Sequence, residues 1–266
     1  MSFYQDFFKK QKILKKFIIV CQHLLHSDPT AEYVRKSLDS RLSRESQSCW
    51  RFGYFPTDNQ LKTLTSLIPK SDLEALGFCY PKFVAGGVRP HGHFSQHNLI
   101  MPFTDAFGNI VAVLGRSLLS EEERVEQKLQ KYKYSTGCQK DLYVYGLDVA
   151  KPFILEKDCV IGVEGQFDCI ALHEHGIQNA VAFGWANASK YQLFQVARYT
   201  NNIILMFDND KAGMTGKQRL KTRYVNKINI KTISPPEGFK DIDEFFRDSK
   251  DTKYINYVID KIKSLS

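Results

Sequence analysis

Three acidic stretches have the residue types and spacing for phosphate chemistry: Val163-Glu164-Gly165, Phe207-Asp208-Asn209-Asp210-Lys211-Ala212-Gly213 and Lys240-Asp241-Ile242-Asp243. Residues two apart in extended chain point the same way, so Asp208 and Asp210 can face one ion together, and Asp241 and Asp243 repeat that spacing. Carboxylates gathered at one edge repel one another unless a cation sits among them. An all-oxygen donor set selects a hard ion, Mg²⁺ or Mn²⁺, over zinc. Two acidic pairs leave room for two ions, which suits phosphoryl or nucleotidyl transfer. A single Asp at a strand end more often caps the next helix, and a lone Asp-x-Asp is shared with sugar transferases. The combination of strand–Glu-Gly with strand–Asp-x-Asp is the stronger signal.

These stretches need a frame that brings strand ends together. Residues 159–163, 179–183, 203–207 and 228–233 are short apolar runs of buried-strand type. Residues 167–175, 189–198 and 212–225 between them read as helices, with Gly176 able to close the first, and residues 242–264 finish as helices. Strands alternating with helices predict βαβ units and a parallel sheet covered on both faces. Glu164 directly follows the first strand and Asp208 the third, and ligands of such sheets gather at the carboxyl ends of strands. If those two strands are neighbours, all three carboxylates meet.

The upstream half reads differently. Residues 4–26 form a helix with Phe7, Phe8, Leu14, Phe17, Ile18 and Leu25 as its apolar stripe and Lys9, Lys10, Lys12, Lys15 and Lys16 opposite, a solvated face or a phosphate contact. Residues 31–49 are helical, 52–56 a loop or short strand, and 58–67 and 72–76 short helices. Gly86-Gly87 and Arg89-Pro90-His91-Gly92 read as a loop. Apolar runs 99–103 and 110–114 flank the turn-rich 105–109 and predict a hairpin. Residues 120–133 are a charged, exposed connector, and Pro152 marks a boundary. The fold class is therefore α/β: a mixed α+β subdomain over 1–152, then a parallel sheet flanked by helices over 153–266.

A net charge of +8, spread over both halves, favours a polyanionic partner. The six cysteines form no Cys-x-x-Cys pair, so no zinc is expected, and no apolar run reaches the ~18 residues of a membrane span. With no secretory signal, reduced thiols and a cytoplasmic location are expected. His91, His93 and His97 lack an acidic neighbour in sequence and read as surface or groove histidines, and Cys21, His23 and His26 as structural. Neither a dinucleotide fingerprint nor a P-loop is present. Tyr132 and Tyr134 sit among lysines and serve either base stacking or domain packing.

Glu164-Gly165-Gln166-Phe167-Asp168, then 207–213, then Lys240-Asp241-Ile242-Asp243-Glu244 resemble the three Toprim motifs of DnaG-type primases, in order. Topoisomerases and some nucleases share that fold. The upstream half separates the branches. Ala31-Glu32-Tyr33-Val34 through Phe52-Gly53-Tyr54 resembles the start of the primase core. Met101-Pro102-Phe103-Thr104-Asp105, Gly108 and Gly115-Arg116 resemble its hairpin, and Lys131–Ser135 and Leu142–Leu147 the joining segments. The similarity runs over roughly 31–250.

The resemblance implies metal binding by Glu164, Asp208 and Asp210, supported by Asp168, Asp241 and Asp243, and phosphate contacts from Arg116, Lys131, Lys133, Lys211 and Lys240. It implies a primase that makes short RNA primers on single-stranded DNA from nucleoside triphosphates with Mg²⁺ or Mn²⁺. A replicative helicase and a zinc-binding module in trans are the expected partners. Asn98, Thr104 and Asn109 stand where arginine is usual, and Trp185 where a small residue is usual. The usual zinc module and helicase-binding domain are missing, so a stripped catalytic core is expected, of phage or mobile-element type acting in the host cytoplasm. The rivals are a Toprim nuclease using the same ions and a non-catalytic single-stranded-DNA-binding accessory protein.

Overall fold

The computed structural model describes residues 3–84, 87–224, 227–249 and 253–264. The chain divides into two compact units, one of residues 1–103 and 110–138, the other of 104–109 and 139–266.

The first unit begins with α1 (Phe3–Ser27), α2 (Glu32–Asp39), α3 (Arg44–Cys49), β1 (Gly53–Tyr54), α4 (Leu61–Leu67) and α5 (Lys70–Ala75). It continues through β2 (Cys79–Val84), β3 (Gly87–Gly92), β4 (Leu99–Thr104), β5 (Ile110–Arg116), α6 (Glu121–Glu126) and β6 (Tyr132–Tyr134). One sheet has the order β1-β4-β5-β6, and β2-β3 form a separate two-stranded arm. Helix α1 lies against β1 and β5. Its Phe17 ring meets Phe78 at 4.6 Å and Phe55 at 6.1 Å, and Phe94 stands edge-on to both of those rings. Leu14, Ile18 and Leu25 are buried with Phe17 as expected, but Phe8 is exposed, because the helix extends beyond the core at that end. The Phe7 side chain lies outside the described residues. The lysines opposite are exposed.

Two expectations for this unit need correction. Residues 87–92, read as a loop from their Gly and Pro content, are strand β3, paired antiparallel to β2 from Cys79↔Gly92 to Val84↔Gly87. Pro81 and Pro90 stand directly opposite one another, and an isolated two-stranded ribbon has free edges where a missing N–H is tolerated. Gly86 lies outside the described residues. The connector 120–133 also contains α6, closed by a Ser120–Glu123 capping box, and opens into β6 on the edge of β5.

The second unit contains α7 (Leu147–Lys157), β7 (Val160–Val163), α8 (Gln166–Glu174), β8 (Ala180–Ala182), α9 (Lys190–Ala197), β9 (Asn202–Met206), α10 (Lys211–Tyr224), β10 (Asn229–Thr232), α11 (Ile242–Asp248) and α12 (Lys253–Lys263). Val225, expected to end α10, lies outside the described residues. The sheet is parallel, in the order β10-β9-β7-β8. Val160, Val181, Ile203, Leu205 and Ile230 share one core with Leu147, Ala150 and Ile154 of α7, Leu193 and Val196 of α9, and Leu220 of α10. Helix α8 lies against β7 and β8, with α11 on α8. Both faces are thereby covered, as a parallel sheet requires. Pro152 sits inside α7, whose apolar face belongs to this core, so the units part between Cys138 and Gln139 rather than at 152/153.

Local sequence explains the turns. Gly176 takes a φ of +83° after α8, and the Ile177 N–H returns to the Leu172 carbonyl at 2.9 Å, a left-handed helix stop that favours glycine. Ser189 and Gln192 close the N-terminus of α9 reciprocally.

Candidate metal centre

Strands β7 and β9 are direct neighbours in register Val163↔Met206. Just beyond that pair, Glu164 and Asp208 leave the carboxyl edge of the sheet side by side. The Asp208 backbone N–H donates to Glu164 Oε1 at 3.1 Å. Asp210 accepts the Gly213 N–H at 2.8 Å, and Asp241 accepts the Glu244 N–H at 2.8 Å. Each thus caps the helix that follows, α10 or α11. Asp168 is buried in the first turn of α8. Its Oδ2 accepts the Gly165 N–H and its Oδ1 the Asp243 N–H, both at 3.1 Å. One carboxylate therefore ties the first acidic loop to the third.

The cluster is electrostatically crowded. Burial first, and the Asp208 charge second, push the Glu164 carboxyl up to about 7, with Asp210 adding to the effect. Asp168 is held well above the ordinary carboxylate range by burial and then by Asp241, Asp208 and Asp243. Asp208 is common to both sets, acting on Glu164 and on Asp168. Among the described residues, no three His, Cys, Asp or Glu side chains enclose a ready-made ion cage.

Glycine makes the close approach possible. A Cβ on Gly213 would lie 2.3 Å from the Asp208 carbonyl oxygen and 2.8 Å from Glu164 Oε1. On Gly216, one turn on, it would lie 1.9 Å from the Ala186 carbonyl oxygen. Helix α10 therefore starts pressed against the first two acidic loops through Gly213 and against the Ala186 loop through Gly216.

Two participants carry no motif signal. Asn209, between the aspartates, donates from Nδ2 to the Phe239 carbonyl at 2.8 Å and the Pro235 carbonyl at 3.0 Å, and its N–H reaches the Lys240 carbonyl at 2.8 Å. It fastens the third acidic loop to the second. Lys217 is buried, with Nζ 3.3 Å from the Phe207 carbonyl and 3.2 Å from Ser234 Oγ. Burial pushes its ammonium down, while Glu164, Asp208 and Asp210 work the other way. A lysine seven residues beyond Asp210, two helical turns on, is the only sequence hint of it.

The expected basic residues fall in two places. Lys211, at the start of α10, and Lys240 are adjacent in sequence to the acidic residues, and both are exposed. Arg116, Lys131 and Lys133 belong to the β5–β6 edge of the first unit, where Arg116 and Lys131 approach the Tyr132 ring at 5.7 and 5.8 Å. Tyr134 packs edge-on to Phe103 at 6.0 Å. Of the histidines, His91 pairs with Asp58 at 2.6 Å, while His93 and His97 meet the Tyr134 and Gln130 carbonyls at 2.9 Å. His97 is buried, not a surface or groove residue, because it pins the connector before β6. Where arginine was expected, Asn98 holds the Phe55 carbonyl, Thr104 donates to Asp148 at 2.9 Å, and Asn109 closes the turn on Asp105. The Trp185 ring carries Lys140 Nζ at 4.5 Å from its centre.

The Toprim-like family matches residues 161–246, the stretch that holds the parallel sheet and its acidic loops. The DNA primase of Synechococcus elongatus is 33% identical over 225 residues, 81% of this chain and 31% of that protein. The Aquifex aeolicus primase, solved with its zinc-binding and RNA polymerase domains, superposes with a TM-score of 0.77 at 22% identity, over 98% of this chain and 62% of that one. The DnaG primase catalytic domain bound to single-stranded DNA gives 0.75 at 24% identity, over 95% and 81%. The chain is similar in sequence to bacterial DNA primases and carries the fold of the DnaG catalytic core. It spans about a third of the length of the curated relatives it matches. No described helix is long and apolar enough to cross a membrane.

Proposed function

We propose that this chain is a primase core that joins ribonucleotides into short primers on a single-stranded DNA template, with Mg²⁺ or Mn²⁺ as cofactor. The observation that carries the reading is the crowded acidic edge, where burial and mutual repulsion raise Glu164 and Asp168 together. Hard oxygen donors that repel one another fit a divalent cation. Glu164, Asp208 and Asp210 would hold it, with Asp241 and Asp243 beside them. A bound divalent ion supplies charge stabilisation at the phosphate and activation of the attacking hydroxyl.

The chain's own residues then orient rather than react. Asp168 and Asn209 hold the three acidic loops in mutual register. Lys211 and Lys240 offer ammonium groups to triphosphate oxygens, and Arg116, Lys131 and Lys133 offer cations to a nucleic-acid backbone. No side chain needs to act as a covalent nucleophile, since the primer's hydroxyl attacks the α-phosphate. Relatedness to DNA primases, and the single-stranded DNA bound by the DnaG catalytic domain, support this choice of template. A replicative helicase and a zinc module in trans complete the proposal.

The test is primer synthesis by the purified chain on mixed-sequence single-stranded DNA with labelled nucleotides and Mg²⁺ or Mn²⁺, beside Asp208→Asn. Short products absent from the variant support the reading. Metal-dependent loss of template without product assigns a nuclease. Binding without either reaction, unrestored by a zinc-module protein, assigns an accessory role.

A further inference from the structure

The β2–β3 arm is built in a way that folding alone does not favour. In an antiparallel pair, directly opposed residues project to the same face. Lys82 is paired with Arg89, so two cations face each other across the ribbon. Like charges placed so are destabilising. Both residues are exposed, and among the described residues no hydrogen bond or ion pair engages either side chain. The same face carries Tyr80 and His91, whose rings meet at 5.2 Å. His91 is held by Asp58, so the nearby carboxylate is already engaged.

A third cation belongs to the same neighbourhood. Lys133, on β6, has its ammonium pushed down by burial and then by the charge of Lys82. Lys82, Arg89 and Lys133 all lie within the first unit. Asp58 lines the same side of the arm as Arg89, but its two oxygens are taken up by His91 and the Gly92 N–H, so the cations suit a ligand with regularly spaced negative charge. Beside Arg89, a cavity of about 400 Å³ between the arm and α4 is lined by Lys62, Lys70 and Tyr80 as well. The opposite face of the arm is apolar, with Phe83 85% exposed across from Val88. The basic face, not the apolar one, fits a phosphate chain.

We propose that the β2–β3 arm is a second nucleic-acid contact, in which Lys82, Arg89 and Lys133 hold the phosphates of a single strand. The inference takes its ligand from the primase reading and extends the β5–β6 contact, through Lys133, onto the arm.

The experiment is fluorescence-anisotropy titration of labelled oligo-dT with the full chain, without nucleotides or metal, over a series of salt concentrations. Removing one cation from a phosphate lowers the salt slope by roughly 0.7 for a single strand. Lys82→Ala/Arg89→Ala is expected to weaken binding about fivefold or more at low salt and to flatten the log–log slope by roughly 1.4. Phe83→Ala, an uncharged change on the opposite face, keeps the slope. The conservative variant Lys82→Arg/Arg89→Lys, which keeps both charges, retains the parent slope if charge is what matters, and a merely structural role would not show this pattern. Unchanged affinity and slope in the double alanine variant overturn the inference while leaving primer synthesis, measured in parallel, to stand. Absence of primer synthesis in the unmodified chain, unrestored by a zinc-module protein and with the slope change intact, retires the primase reading and keeps the arm.

Discussion

The two ends of the parallel sheet treat their acidic residues in opposite ways. At the amino edge, Asp158 follows α7 with a φ of +42°, and its carboxylate accepts from Thr200 Oγ1 at 2.9 Å and Asn202 Nδ2 at 3.1 Å. Both carboxylate oxygens have donors, and the aspartate stitches β9 to the end of α7. At the carboxyl edge, Glu164 accepts one backbone N–H and otherwise faces Asp208 and Asp210. Asp158 is held by the Thr200 and Asn202 side chains, whereas Glu164 has other carboxylates for neighbours, and that crowding by like charge separates the two.

The sharpest way to break this contrast is Asp208→Asn. Primer synthesis should fall by roughly 10³-fold, the scale of losing a preorganised charge stabiliser, while circular dichroism stays native. A variant that retains activity removes the carboxyl edge from the mechanism. Gly213→Ala comes next, because its Cβ would meet Asp208 and Glu164. Overpacking of that kind costs about 1–3 kcal/mol, so denaturant melts should shift and activity should drop with them.

Glu164→Gln tests the crowding itself. A folded carboxyl raised to about 7 carries no penalty below its unfolded value near 4.5, and a growing one as pH climbs from there to 7, complete above it. The metal-free variant should therefore be more stable than the parent at pH 8, by about 3 kcal/mol from the raised carboxyl alone and by about 2 kcal/mol once solvent screening of a partly exposed group is discounted, and no more stable at pH 4, although its synthesis is lost. Equal melting of the two proteins at pH 8 would deny the strain. Saturating Mg²⁺ should close the gap by stabilising only the parent. At the other edge, Thr200→Val should cost about 1 kcal/mol and leave synthesis per folded molecule unchanged.

Much of this was readable in the residues. The strand–Glu-Gly and strand–Asp-x-Asp sites are local, since a carboxylate directly after an apolar run lands at a strand end whatever the rest of the fold does. Other features needed partners distant in sequence. Asn209 carries no signal of its own in the sequence, and its amide crosses to residues 235–239. Lys217 carries none either, and its ammonium reaches the Phe207 carbonyl beside the acidic loops. His97 reads as a loop residue until the chain before β6 folds over it. The arm was hidden by its prolines and glycines, which argue against a central strand but not against a free ribbon.

By itself the sequence determined the βαβ rhythm, the parallel sheet and the placing of Glu164 and Asp208 just after strands, because these follow from periodicity and adjacency along the chain. Only the tertiary structure decided that β7 and β9 are neighbours, that Asp168 bridges the first and third loops, and that Lys82 faces Arg89. Those relations depend on strand order and register, set by packing between residues far apart in sequence, and no local pattern encodes them.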